Sequence, residues 1–146
     1  MRHTLTENTA HWLPTWEQVI DNLNMCHPDT CIFLKNDGVV CHDVAHDDYW
    51  PVHNFAEHIA NQYENRAITI HTYISFTENS QTFGRHKDEV DVYFLNALGQ
   101  TKFLVWEEDT EYEYHLEPGD LLYIPAGLWH STEPLTPRVG ISYGIE

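Results

Sequence analysis

The part of the chain that begins at Ala67 is cut into short alternating segments by turn residues, and this pattern constrains the fold more than any other feature. In 67-AITIHTYISF-76 apolar residues alternate with polar or small ones. The runs 90-VDVYFLNAL-98 and 102-KFLVW-106 follow, joined by a turn carrying Gly99, and then come 111-EYEYHL-116, 121-LLYI-124 and 138-RVGISYGI-145. Successive side chains on a strand point to opposite faces, so each segment can cover one side of a packed layer. Glu117-Pro118-Gly119-Asp120 and Pro125-Ala126-Gly127 are turn signals between them. Many short strands at regular spacing predict a mainly β fold, a sandwich or small barrel.

Upstream, the pattern is mixed. In 14-PTWEQVIDNLN-24, Thr15 and Gln18 have capping-box spacing, and Trp16, Val19, Ile20 and Leu23 form one apolar stripe. The runs 31-CIFLK-35 and 39-VVCH-42 flank Asn36-Asp37-Gly38, a hairpin signal. A second helix is expected over about residues 54–63, capped by Asn54, with Phe55, Ile59 and Tyr63 facing inward. A chain of 146 residues can bury one core. One domain over 1–146 is expected, with 1–66 as helical and hairpin support and 67–146 as the β core.

Charge narrows the partners. With a net charge of −16 and only 7 Lys plus Arg, the chain repels nucleic acid backbones and attracts basic proteins or peptides. Cys26, Cys31 and Cys41 contain no C-x-x-C pair, so they read as buried apolar residues, and a thiolate zinc site is not expected. The N-terminus has no apolar leader segment, and no apolar run reaches the ~20 residues of a membrane span. The expected location is cytoplasmic.

The chemistry concentrates in two runs. In 84-GRHKDEV-90, His86 and Asp88 stand two residues apart and project to one side of an extended strand. The second run, 119-GDLLYIPAGLWHS-131, ends in His130 after a tight Pro-x-Gly turn. Two imidazoles and one carboxylate on one side of a metal form the facial triad of non-haem iron(II) oxygenases, which leaves positions open for dioxygen and a co-substrate.

Gly119, Pro125, Gly127 and His130 fall in the pattern G-x5-P-x-G-x2-H, which resembles the second motif of the cupin superfamily. The run 84-GRHKDEVDVYFLNALGQTKFLVW-106 is similar to the Jumonji-C-type oxygenases: H-x-D, an Asn, a hairpin, then a Lys before an apolar strand. The resemblance covers about residues 67–145. It implies a double-stranded β-helix with one or two helices packed outside. It also implies Fe(II) and 2-oxoglutarate as cofactor and co-substrate, with hydroxylation of a C–H bond coupled to decarboxylation of the keto acid by dioxygen. The iron ligands would be His86, Asp88 and His130. Lys102 would pair with the distal carboxylate of 2-oxoglutarate, with Arg138 as the rival anchor. Asn96 would bond the keto acid or a neighbouring group, and Tyr73 or Thr72 would donate a hydroxyl. The substrate would be a protein or peptide side chain or a small molecule. A metal-dependent cupin enzyme without 2-oxoglutarate (lyase, isomerase or dioxygenase) and a non-catalytic binding module are the other readings.

The match departs from ordinary cupins. No glutamate lies in phase with His86; Val92 holds the in-phase position and Asp91 points the other way. His71 and His115 read as ordinary strand histidines. His42, His46 and His53 read as a solvated loop, and Glu107, Glu108, Asp109, Glu111 and Glu113 as a solvated hairpin tip. Trp50 and Trp129 read as core or pocket wall. Exposed strand edges make a homodimer a reasonable expectation.

Overall fold

Thr15 starts the first helix as its spacing to Gln18 predicts. Its hydroxyl accepts from the Gln18 amide, and the Gln18 side chain accepts from the Thr15 amide at 2.9 Å. Two donors that the helix start would leave orphaned are thereby satisfied. This helix, α1, spans Trp16–Met25 in a computed structural model that describes residues 1–146. The second helix, α2, spans Trp50–Gln62 and begins upstream of the expected Asn54 cap. Pro51 lies in its first turn, where a missing N–H and a fixed φ do no harm, so Asn54 becomes an interior residue. No helix is long and apolar enough to cross a membrane.

Ten strands follow or flank these helices: β1 (Thr4–Thr6), β2 (Cys31–Leu34), β3 (Gly38–Cys41), β4 (Ile68–Ser75), β5 (Asp91–Leu98), β6 (Thr101–Glu107), β7 (Thr110–Leu116), β8 (Leu121–Ile124), β9 (Trp129–Pro134) and β10 (Arg138–Ile145). One sheet has the order β1-β8-β5-β10-β4-β3-β2 and the other β7-β6-β9. Every pairing is antiparallel. The architecture is the expected mainly β, double-stranded β-helix, with both helices packed outside. β1 and β9 are additional to the segments read from the sequence.

β10 explains how the layers form. All eight of its residues are buried. Val139, Ile141, Tyr143 and Ile145 join a core with Val19, Tyr49, Val52, Phe55 and Ile59 from the helical region. The alternate positions, Arg138, Gly140, Ser142 and Gly144, are small or polar and share a face with their cross-strand partners Ser75, Tyr73, His71 and Thr69 on β4. On β10 and β4 one face therefore packs on the helices, and the face with the small and polar residues looks into the barrel. A second apolar cluster, including Phe94, Phe103, Val105, Leu122 and Ile124, closes the barrel interior against the small sheet.

The acidic run after β6 is not wholly a solvated tip. Glu107 is buried and accepts from the backbone amides of Arg2 and His3, while His3 Nδ1 lies 2.8 Å from its Oε1. His3 Nε2 also meets the Tyr114 hydroxyl at 2.6 Å. This network fastens β1 to the barrel, and buried polar groups need such partners. Trp50 is more than half exposed and belongs to neither core.

Candidate metal centre

His86 and Asp88 lie in the segment just before β5, and His130 is the second residue of β9. The two histidines face each other as an isolated antiparallel bridge. The His86 amide donates to the His130 carbonyl at 2.9 Å and the His130 amide returns a bond at 2.8 Å. The Pro-x-Gly turn secures the third ligand. Gly127 adopts φ +87°, which a side chain would oppose, and its amide donates to the Asp88 carbonyl at 2.9 Å. A backbone bond thus ties together the two stretches that carry the ligands.

The donor atoms converge. His130 Nε2 lies 3.2 Å from Asp88 Oδ2, His86 Nε2 lies 3.9 Å from Asp88 Oδ1, and all three donors fall within 4.8 Å of one another. Each imidazole has its other nitrogen against a carbonyl: His86 Nδ1 on Gly84 at 2.8 Å and His130 Nδ1 on Leu128 at 2.9 Å. A proton on Nδ1 satisfies that carbonyl and leaves the Nε2 lone pair free for a metal. Burial pushes the Asp88 carboxyl up, but the adjacent His130 and His86 imidazoles outweigh it and hold the group below the usual carboxylate range. The carboxylate is therefore the form present at neutral pH. Two imidazole nitrogens and a carboxylate oxygen suit a borderline divalent ion such as iron(II), which His86, Asp88 and His130 would hold.

The triad opens into a cavity whose wall includes His71, Tyr73, Phe94 and Phe103. Arg138 lies on its wall, fully buried. Its Nε donates to Ser75 Oγ at 3.0 Å, Nη1 has no partner, and no carboxylate forms an ion pair with it. Burial pulls the guanidinium down from 12.5 to about 10. An unpaired buried cation is a costly arrangement, which an anion in the cavity would relieve. Gly140 gives the arginine room. A Cβ there would lie 2.2 Å from the Phe94 ring and 3.1 Å from Arg138 Nη1. Tyr73 and Ser142 share the cavity wall, and burial pushes the Tyr73 hydroxyl up while the nearby Ser142 works against that.

Three of the expected co-substrate contacts lie elsewhere. Lys102 is on the outer face of β6, between Glu113 at 3.6 Å and Glu133 at 3.8 Å, because Thr101, Phe103 and Val105 occupy the inward phase of that strand. Asn96 is buried and in the inward phase, but its amide is committed: it donates to the Gly99 and Leu116 carbonyls and accepts from the Thr101 hydroxyl. Thr72 faces the helices and bonds the Tyr49 hydroxyl at 3.0 Å. Conversely, His71 was read as an ordinary strand residue, yet it lines the cavity in phase with Tyr73. That shared parity was the available signal. Burial, then neighbouring His42, lowers its affinity for a proton. Phe83 lines the cavity, whereas Trp129 is exposed and belongs to neither core nor cavity wall, with Arg85 and Lys87 over its ring.

The fold is a double-stranded β-helix, and its candidate metal centre brings together two histidines and one aspartate. Residues 104–146 match the family model described as the JmjC domain. No curated protein matches the sequence. Among solved structures, the chain is similar to YcfD, a ribosomal oxygenase from Escherichia coli, at 23% identity and a TM-score of 0.62 over 75% of this chain and 31% of that one. YcfD in complex with cobalt and 2-oxoglutarate aligns at 17% identity and a TM-score of 0.70, covering 99% of this chain and 48% of that one. Hydroxypropylphosphonic acid epoxidase from S. wedmorenis aligns at 12% identity and a TM-score of 0.52, over 83% of this chain and 58% of that one. At these identities the likeness establishes the fold, and the chain spans between a third and a half of the length of the ribosomal oxygenase it matches.

Proposed function

We propose that the chain is an iron(II)- and 2-oxoglutarate-dependent oxygenase that hydroxylates a C–H bond. The observation that carries this reading is Arg138, a fully buried cation with an unpartnered Nη1, in the same cavity as the His86, Asp88 and His130 donors. A dicarboxylate with a keto group has the two ends such a cavity needs. One carboxylate would neutralise Arg138, and the other end would face the metal. YcfD, with which this fold is shared, is described in complex with cobalt and 2-oxoglutarate.

When bound, iron(II) would supply the activation of dioxygen. The protein's own residues do the rest. The Gly84 and Leu128 carbonyls keep both Nε2 atoms aimed at the ion. Arg138 fixes the far end of the co-substrate, and Tyr73 offers a hydroxyl beside it. Phe94, Phe103 and Ile124 form a dry wall that strengthens the charge pairing. We assign a basic protein or peptide side chain as substrate, supported by the net charge of −16 and by the description of YcfD as a ribosomal oxygenase.

The test is succinate formation from 2-oxoglutarate with Fe(II), ascorbate and a library of basic peptides, followed by mass spectrometry for the gain of one oxygen atom. A visible absorption band that needs both Fe(II) and 2-oxoglutarate under anaerobic conditions is expected first. Tight Fe(II) binding with no 2-oxoglutarate-dependent band and no succinate would remove the co-substrate from the proposal.

A further inference from the structure

The three cysteines of the chain, read from the sequence as separate apolar residues, meet at one point. Cys26 is the C-cap of α1, Cys31 opens β2 and Cys41 closes β3. Their sulfur atoms all lie within 4.8 Å of one another, and Cys31 Sγ is 4.0 Å from Cys41 Sγ. Two sulfurs each about 2.3 Å from a single zinc ion lie roughly 3.7–4.0 Å apart, so the spacing suits shared ligation with little movement. None of the three is in a disulfide.

The surroundings are built around this point. Asn22 is buried; its Oδ1 accepts from the amides of Ala45 and His46, and its Nδ2 approaches Cys26 Sγ at 3.7 Å. An N–H directed at sulfur favours a thiolate. The Asp43 carbonyl accepts from Asn22 Nδ2 at 3.2 Å and lies 3.8 Å from Cys26 Sγ. Cys41 pairs in register with Thr72, whose side chain faces the helices, so the cluster lies on the opposite face of the large sheet from the His86 and Asp88 cavity. Cys26 and Cys41 are buried and Cys31 is half-buried, which leaves a path for an ion from one side.

We propose that Cys26, Cys31 and Cys41 form a second metal site that takes a thiophilic divalent d10 cation, zinc in the first instance. Soft thiolates select such an ion over iron(II) or magnesium. Three thiolates and one divalent cation leave a single negative charge, which the Asn22 amide partly offsets. The ion fastens the end of α1 to the β2–β3 hairpin at the edge of the large sheet. Binding displaces thiol protons, so affinity rises with pH. Burial first, and the neighbouring thiols after it, push the Cys26 and Cys41 thiols up, so the rise continues well above neutral pH.

The site is tested on the reduced, metal-free full chain carrying His130→Ala, which disables the oxygenase centre. Titration with cadmium(II) should give a sulfur-to-metal charge-transfer band in the ultraviolet that saturates at one ion per chain. Histidine and aspartate ligands give no such band. Cys31→Ser, at the half-buried position, should weaken binding by on the order of 100-fold. On the unsubstituted chain, zinc(II) should protect three thiols from alkylation, read by mass spectrometry, and raise the thermal midpoint. A missing band, a band unchanged by Cys31→Ser, or alkylation at the same rate with and without zinc would each overturn the site and leave the cysteines as an apolar corner of the helix-facing core.

Discussion

Replacing Arg138 with Met separates an arginine kept for a ligand from one kept for the fold. Burial lowers the guanidinium from 12.5 to about 10. At about 1.4 kcal/mol for each factor of ten in proton affinity, the charged form is penalised by roughly 3 kcal/mol in the folded chain. The folded-state value lies below the unfolded one, so this penalty is complete at every pH below about 10 and therefore at pH 7. Methionine keeps the apolar stem and removes the charge. It also removes the bond to Ser75 Oγ, at a loss of about 1 kcal/mol. The apo protein should thus gain about 1–2 kcal/mol, read as a shift of the urea midpoint, or roughly 3–6 °C in melting temperature. The same change should weaken 2-oxoglutarate binding at least about 30-fold, because truncating one partner of a buried charge pair costs about 2–5 kcal/mol. Calorimetric titration of the manganese-loaded protein measures that loss. A variant that melts earlier and binds 2-oxoglutarate unchanged would show that the cation is structural and that no anion belongs beside it.

Other substitutions probe the remaining parts. Asp88→Ala should abolish stoichiometric iron binding, measured by metal analysis after desalting, since it leaves only two imidazoles. Lys102→Ala should leave 2-oxoglutarate affinity unchanged and shift stability by less than about 1 kcal/mol in urea melts, because its partners Glu113 and Glu133 are on the surface. Gly140→Ala should destabilise by about 1–3 kcal/mol and weaken 2-oxoglutarate binding together, as the new methyl meets the Phe94 ring and Arg138. The hydrogen bond from His3 holds the Glu107 carboxyl at about 2, below its usual value of 4.5. A depressed folded-state value adds stability above about pH 4.5 that is lost as pH falls toward 2. Glu107→Gln should therefore lower the urea midpoint at pH 6 and converge with the parent near pH 2.

The β segments were legible because period-2 alternation and Gly or Pro turns are local properties. The convergence of His86, Asp88 and His130 was legible for the same reason: His86 and Asp88 are two residues apart, and His130 is tied to a turn motif. The anchor was not. A hairpin of unfixed length separates Asn96 from Lys102, and one residue of phase turns a lysine outward to Glu113 and Glu133. Thr72 and Tyr73 are adjacent on β4, and only the packing of Tyr49 on one face determines which of them lines the cavity.

By itself, the sequence determined strand periodicity, turn positions and the α1 cap, and it singled out three candidate metal-binding residues, because each depends on a local motif. Only the tertiary structure decided which face of an alternating strand is the core. On β10 the apolar residues pack on the helices, and the small and polar ones line the cavity, which inverts the usual expectation for a barrel interior. It alone buried Arg138 without a counter-ion, and it alone drew Cys26, Cys31 and Cys41 to a single point. Those outcomes depend on which elements share a layer, and no local pattern carries that information.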